Sequence, residues 1–456
     1  MSALLYGADA VYVGGREMNL RASAQGVDWA ELRLLAREAE KLGARIYYCL
    51  NSLPLERDLP ELPALIEGAA ANGAQALIVA DPGLVALARR YAPGLPIHLS
   101  TQANTTNSAS LRFWLEQGVE RVNLARELTR PEIASIREAC PEAELEVFVQ
   151  GAMCLAVSGQ CLLSAWLNGR AANQGRCTQP CRFEYRAWGA EGFSAENIRT
   201  PAAQSGAAAR AGGLATGGRI RPDAGPGPEP GGCWHAADEA ERAGAVLTLE
   251  EALRPGQELW EIRREEPYSA VFAPQDLCLL PYLPWFAATG LDALKVEGRM
   301  KSAAYVAQVA DVYSTALKRL AAPEGRDAFD PLPYLRELAL AAARPLSSGF
   351  FLPEGRADVL AEYGLAPGGG AILARLLEPC GPGDSAWAVE VKENWESSQK
   401  AEILLPGLKR RALLPGSYAF ENHRGEKSGK ILCGTTAILR VEGADLKPGL
   451  FVRLAE

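Results

Sequence analysis

Short β-branched runs alternate with amphipathic, helix-period stretches through the first 154 residues. The strand candidates are Asp9–Gly14, Ala44–Leu50, Ala76–Ala80, Pro96–Thr101, Arg121–Leu124 and Leu145–Val149. Helical patterns such as Trp29–Leu42, Leu62–Asn72, Ser110–Gln117 and Arg130–Ala139 lie between them. Gly43, Gly73 and Gly118 follow three of these helices, where glycine supplies the left-handed residue that stops a helix. A strand–helix repeat of this kind predicts parallel strands joined by crossover helices.

One more strand of the same type is expected at Ala293–Val296, before the periodic helix Ala303–Leu317. The chain opens on Leu4-Leu5-Tyr6-Gly7-Ala8-Asp9, which reads as a helix end running into a strand. The expectation is therefore an α/β fold with a TIM-type (βα)8-like barrel that lacks its first strand and keeps two unpaired edges. Residues 1–190 carry most of this barrel with a cysteine motif, and 247–320 carry its end. Residues 191–246 are rich in Gly, Ala, Pro and Arg without hydrophobic period, so a disordered insertion is expected. After it, Thr248–Leu253 reads as a short helix and Glu258–Arg263 as a strand. Residues 321–385 read as a helical linker, and 386–456 as a small β-barrel module. Its strand candidates are Trp387–Val391, Ala401–Leu405, Ser417–Phe420, Thr436–Val441 and Gly449–Leu454.

Composition narrows the class. Of 456 residues, 48% are apolar, enough for a large core. No apolar run of about 18 residues occurs, so no membrane span is expected. The opening residues lack the features of a signal peptide, which favours the cytoplasm. In a reducing compartment ten cysteines do not form a disulfide framework. The net charge of −8 argues against a general nucleic-acid coat. Arg170, Arg176, Arg182 and Arg186 nevertheless gather in one stretch, where a local phosphate-facing patch and a solvated loop surface are both open readings.

That stretch holds the densest chemistry. Cys154, Cys161, Cys177 and Cys181 lie close together, and Cys278 follows after the insertion. Thiols so grouped hold an iron–sulfur cluster, hold zinc, or form disulfides. Zinc fingers favour short knuckles between ligands, and Cys177 with Cys181 makes only one. Iron–sulfur sites accept the irregular spacing of Cys154 and Cys161. Cys49, Cys140, Cys380 and Cys433 read as small apolar side chains.

Glu146-x-Phe148-x-x-Gly151-Ala-Met-Cys154-x4-Gly159-x-Cys161-x-Leu-Ser164 resembles the signature of the peptidase U32 family, the collagenase-like proteases. Asn173-Gln-Gly-Arg-Cys177-Thr-Gln-Pro-Cys181, Gln275-Asp-Leu-Cys278 and Leu294-Lys-Val-Glu-Gly-Arg-Met-Lys-Ser302 extend the match. The resemblance implies a 4Fe–4S cluster held by Cys154, Cys161, Cys177 and Cys278, with Cys181 as a spare and zinc as the alternative metal. It also implies oxygen-independent hydroxylation of a tRNA or rRNA base, or of a small aromatic substrate, helped by an electron or oxygen-donor partner. The family name implies proteolysis instead, and a non-catalytic iron–sulfur partner protein is the third reading.

In parallel barrels, sites form at the C-terminal ends of strands. Polar residues recur there: Arg16, Asn19 and Arg21; Asn51; Asp81; Gln102 and Asn104; Arg126 and Glu127; Gln150; and Glu297, Arg299 and Lys301. Arg16, Asn19, Arg21, Asn51, Gln102 and Asn104 are the substrate-binding candidates. Arg299 and Lys301 suit an anion clamp, and Glu297 suits an acid or base or a partner for Arg299. With Glu127 these are the catalytic candidates. Peptide hydrolysis has less to stand on. The three histidines are His98, His235 and His423, and neither an HExxH nor a Gly-x-Ser-x-Gly motif is present.

Overall fold

The computed structural model describes residues 1–20, 26–154, 156–182, 185–189, 246–251, 259–263, 275–323, 325, 328–380, 385–421, 426–441 and 446–455. Of the insertion predicted over 191–246, residues 191–245, with Cys233 and His235, fall outside these residues, as do Arg21 and His423, whereas Val246 begins a strand. The chain divides into two units. The larger comprises Met1–Leu162, Ala171–Cys177 and Asp276–Glu456, and the smaller comprises Leu163–Arg170 and Thr178–Gln275.

Six strands open the larger unit: β1 (Ala10–Gly14), β2 (Arg45–Leu50), β3 (Ala76–Val79), β4 (Ile97–Leu99), β5 (Arg121–Asn123) and β6 (Glu144–Ala152). Each pairs in parallel with the next in chain order. Helices fill the connections, as predicted from the periodicity, and each has a legible start. Asp28 caps Trp29–Lys41 by accepting from Glu31 N, and Glu31 returns a bond to Asp28 N. Asp81 and Asn107 cap the helices Pro82–Tyr91 and Ser108–Glu116 by accepting from Leu84 N and Ser110 N.

Strands β7 (Tyr185–Gly189), β8 (Val246–Glu251) and β9 (Leu259–Arg263) form an antiparallel sheet in the smaller unit. This corrects the helix expected at Thr248–Leu253. Residues Val246–Glu251 are paired on both sides, and ladder formation overrides local helix propensity. Thr178 in this unit is tied to the helix Leu163–Asn168, accepting from Asn168 Nδ2 at 2.8 Å and donating its N–H to Ser164 Oγ at 3.0 Å.

Back in the larger unit, β10 (Asp276–Cys278) and β11 (Ala293–Val296) both pair with β6. The ladder with β11 is parallel and slips by one residue between Lys295 and Val296. The ladder with β10 is antiparallel, over Gln150, Gly151 and Ala152. β12 (Leu346–Ser347) then extends the sheet beyond β10. No ladder among the described residues joins β1 to β11. Side chains span that seam: Tyr12 donates its hydroxyl to Val296 O at 3.2 Å, and Lys295 Nζ stands 4.6 Å from the Tyr12 ring.

Alternation along the strands sorts side chains onto two faces. Ile46, Tyr48, Leu50, Leu77, Val79, Leu99, Val122, Leu145 and Val147 join the main apolar core, together with helix residues such as Leu32, Ile66 and Ile133. Tyr47, Cys49, Ala76 and Ile78 form a separate, smaller cluster. Polar groups accompany that second face. Lys295 pairs with Glu146 at 2.7 Å, with only 10% and 8% of the two side chains exposed, and Asn123 Nδ2 donates to the same carboxylate oxygen at 3.0 Å.

The C-terminal region supplies a second core and a second sheet. Its strands are β13 (Ile372–Pro379), β14 (Ala386–Val391), β15 (Trp395–Glu396), β16 (Ala401–Leu405), β17 (Lys409–Leu413), β18 (Ala419–Glu421), β19 (Lys427–Ser428), β20 (Lys430–Ile431), β21 (Thr436–Arg440) and β22 (Phe451–Leu454). Eight of them form one antiparallel sheet in the order 17-16-22-13-14-21-18-19. β13 was not among the strand candidates, yet it lies between β22 and β14. Polar bonds tie this sheet to the helix Ala303–Ala321. Asp311 accepts from Gly407 N at 2.6 Å, and Arg453 bonds Gln308 at 3.1 Å, Glu337 at 2.8 Å and Glu402. No helix among the described residues is long and apolar enough to cross a membrane.

Candidate functional site

The C-terminal ends of the parallel strands carry the sequence-predicted residues, and the loops there are tied to one another. After β1, Asn19 is 1% exposed and donates to Gly15 O. Its Oδ1 accepts from Arg299 Nη2 at 2.6 Å, although Arg299 follows β11. Gly14 makes this approach possible, since a β-carbon there would stand 2.7 Å from that same Arg299 nitrogen. Arg16 is exposed to solvent. Asn51, after β2, accepts from Leu20 N at 3.5 Å and donates to Ser100 Oγ at 3.2 Å. Arg299, Asn19, Asn51 and Ser100 therefore lace the ends of β11, β1, β2 and β4.

The other two residues after β11 are also engaged. Lys301 Nζ pairs with Asp276 at 2.7 Å and lies 4.9 Å from the Tyr305 ring. Glu297 is buried and accepts from Arg299 N at 3.3 Å. Arg299 and Lys301 thus each have an internal partner, and an anion clamp has to compete with Asn19 and Asp276. Glu127, after β5, accepts from Ser158 N at 2.8 Å and Ser158 Oγ at 3.4 Å. Ser158 is fully buried in a left-handed conformation, φ 46°. Glu127 accordingly pins the loop that carries Cys154 and Cys161.

Gln102 and Asn104 sit on the turn after β4. Ser100 Oγ receives Gln102 N at 3.5 Å, and Gln160 Nε2 donates to Gln102 O at 2.9 Å, so the backbone of Gln102 is held from two sides. Asn104 takes the left-handed conformation, φ 54°. The side-chain oxygens of both residues are enclosed and have no hydrogen-bond donor. A β-carbon on Gly159 would stand 3.2 Å from Gln102 Nε2 and 3.6 Å from Cys154 Sγ. Glycine at 159, with φ +76°, lets the loop backbone come close to both the carboxamide and the thiol.

The four implied cluster ligands do not converge in this way. Cys154, Cys161 and Cys177 are half-buried, whereas Cys278 is fully buried. Burial pushes the Cys278 thiol up to about 12, although the bonds from Leu280 N and Tyr313 oppose the shift. Its neighbours are core residues, including Leu277, Leu279 and Tyr313. Among the described residues, no three His, Cys, Asp or Glu side chains gather at metal-binding range. As arranged, the residues fit neither a four-thiolate cluster nor a zinc site.

His98 faces the second face of the sheet, edge-on to Tyr47 with ring centroids 4.7 Å apart. Burial, then the charges of Arg121, Lys295 and Arg45, lower its pKa to about 3. Its Nδ1 has no partner, and no hydrogen bond among the described residues joins it to a Ser or Cys. A nucleophile–base pair of the kind hydrolysis needs is not built around it. Sequence reasoning missed Asp276, Ser158, Ser100 and the buried chain in which Tyr313 donates to Gln150 Oε1 at 3.1 Å and Gln150 Nε2 donates to Tyr305 at 3.4 Å. These residues carry no local signature, because their partners are distant in the chain.

Residues 1–360 match the model of peptidase family U32, and the chain belongs to that family. It is 33% identical over 406 residues to tRNA hydroxylation protein P of Escherichia coli, covering 89% of this chain and 83% of that protein. It is 35% identical over 323 residues to tRNA hydroxylation protein P of Haemophilus influenzae, covering 70% of this chain and 65% of the relative. A shorter match, 37% over 183 residues, is to the 23S rRNA 5-hydroxycytidine C2501 synthase of Escherichia coli, covering 40% of this chain and 27% of that protein.

Proposed function

We propose that this chain hydroxylates a base in tRNA or rRNA. The observation that carries the reading is the 33% identity to a tRNA hydroxylation protein across 89% of the chain. The strand-end chemistry supports it. The unmet carboxamide oxygens of Gln102 and Asn104 suit the hydrogen-bonding edge of a base better than they suit peptide cleavage. The parallel sheet is read as a TIM-type barrel whose β1–β11 seam is crossed by Tyr12 and Arg299. Oxygen-independent reaction in the cytoplasm, with an electron or oxygen-donor partner, belongs to the same proposal.

A 4Fe–4S cluster on Cys154, Cys161, Cys177 and Cys278 remains part of the proposal on the strength of the motif alone. Holding it would require Cys278 to leave Tyr313 and the other three thiols to close in. Iron and sulfide analysis of anaerobically purified protein, with Cys154→Ala and Cys278→Ala as controls, tests this component separately. The hydroxylation reading is tested by expressing the chain in a bacterial strain deleted for its own tRNA and rRNA hydroxylation proteins. Mass spectrometry of RNA nucleosides should then reveal a pyrimidine one oxygen heavier. Soluble, folded protein with no such nucleoside overturns the reading.

A further inference from the structure

We infer that Gln102, assisted by Asn104, reads the N–H-bearing edge of the target nucleobase. The inference rests on the hydroxylation reading above and assigns it a specificity-determining residue. Gln102 is 7% exposed, and its Oε1 has no donor. Asn104 Oδ1, two residues on, is likewise enclosed without a donor. An enclosed acceptor left unmet is costly, so folded proteins keep few of them. Two on one turn at the C-terminal end of a parallel strand mark a place where a ligand is expected to bring the donors.

The turn is fixed so that the carboxamide can be selective. Gln102 N is held by Ser100 Oγ and Gln102 O by Gln160. Thr101 Oγ1 anchors the same turn to Leu124 O at 3.0 Å. What is left to Gln102 is its amide edge. A primary amide offers one acceptor and two donors in a plane, the pattern that pairs bidentately with a base edge. Gly159 leaves the Gln102 amide uncrowded, because any side chain there would stand against both Gln102 Nε2 and Cys154 Sγ. A base that meets this amide therefore lies near the first cysteine of the motif.

The test is equilibrium binding of the purified full-length chain to RNA hairpins that differ at one unpaired loop position. The loop carries uridine, 3-methyluridine, cytidine, N4,N4-dimethylcytidine or no base. A site that demands an N–H donor rejects the blocked analogue, because its own polar groups are then left unpaired. The expected result is at least tenfold tighter binding of uridine than of 3-methyluridine, or of cytidine than of its dimethyl analogue. Gln102→Ala should abolish that ratio while binding to the hairpin without a base stays unchanged. Gly159→Ala should weaken both members of the favoured pair. Two outcomes overturn the inference alone: a base-dependent affinity that ignores the methyl block, or a ratio that survives in Gln102→Ala. Equal binding of every hairpin, including the one without a base, removes both the inference and the base-recognition part of the function proposed above. Circular dichroism of each variant separates loss of recognition from loss of fold.

Discussion

The guanidinium of Arg299 and the carboxamide of Asn19 meet at 2.6 Å, joining the loop after the last parallel strand to the loop after the first. This bond crosses the gap between β1 and β11 that no strand pairing closes. Arg299→Ala removes a charge-assisted hydrogen bond from an almost fully buried side chain. A loss of about 1.5–3 kcal/mol is expected, read as a lower midpoint in urea. An unchanged midpoint would show that the seam is held by other contacts.

The Lys295–Glu146 pair makes a sharper case. Lys295→Met leaves a carboxylate buried without its cation, which costs about 3–5 kcal/mol. Replacing both residues, as Lys295→Met with Glu146→Leu, should recover most of that loss. A double variant no more stable than Lys295→Met alone would contradict the pairing as described.

His98 predicts a pH dependence. Its pKa falls from about 6.5 in the unfolded chain to about 3 in the folded protein, so the unfolded chain takes up the proton first. Its contribution is fully present above about pH 6.5 and is lost progressively as pH falls toward 3, by up to about 5 kcal/mol. His98→Asn should therefore flatten the acid side of the stability–pH curve relative to the parent protein. Parallel curves for the two proteins would refute the assignment.

Glu127 should act on a loop rather than on the whole fold. Glu127→Ala takes the acceptor from Ser158 N–H, so hydrogen exchange at Val157–Gln160 should quicken about tenfold or more. Glu127→Gln keeps an acceptor and should exchange nearly as the parent does. If the two variants behave alike, the carboxylate has a role beyond bracing Ser158.

Cysteine accessibility offers a direct check on the thiols. Under native conditions iodoacetamide should modify exposed Cys433 and leave Cys278 untouched until the protein unfolds. Early labelling of Cys278 would mean that β10 opens readily, and would make cluster binding by this thiol easier to accept.

Much of the parallel sheet was legible because its signals are local. Helices end at Gly43, Gly73 and Gly118, where φ is +68°, +93° and +79°. The strands between them carry the expected apolar runs. Other elements were hidden for physical reasons. β17 is Lys-Arg-Arg-Ala-Leu, an edge strand whose charged residues mask its apolar period. β8 was read as a helix because its pairing partners, not its own residues, decide its state. The site divided in the same way. Strand-end placement put Asn19, Gln102, Glu127 and Arg299 among the candidates, since position along a repeat is visible in one sequence. Their partners were not visible, because Arg299 reaches Asn19, and Lys301 reaches Asp276, only through the fold.

β6 holds two ladders at once, parallel to β11 and antiparallel to β10. The chain leaves it at Ala152 and returns at Asp276, so the two ends of the intervening stretch meet side by side at this strand pair. Loop-closure entropy grows only logarithmically, at about 0.6 kcal/mol for each doubling of length. Doubling that stretch would scarcely alter the free energy of docking β10. Sequence added after Cys181 thus leaves both the strand pair and the cysteine motif intact, and a reporter domain could be spliced there without dismantling the sheet.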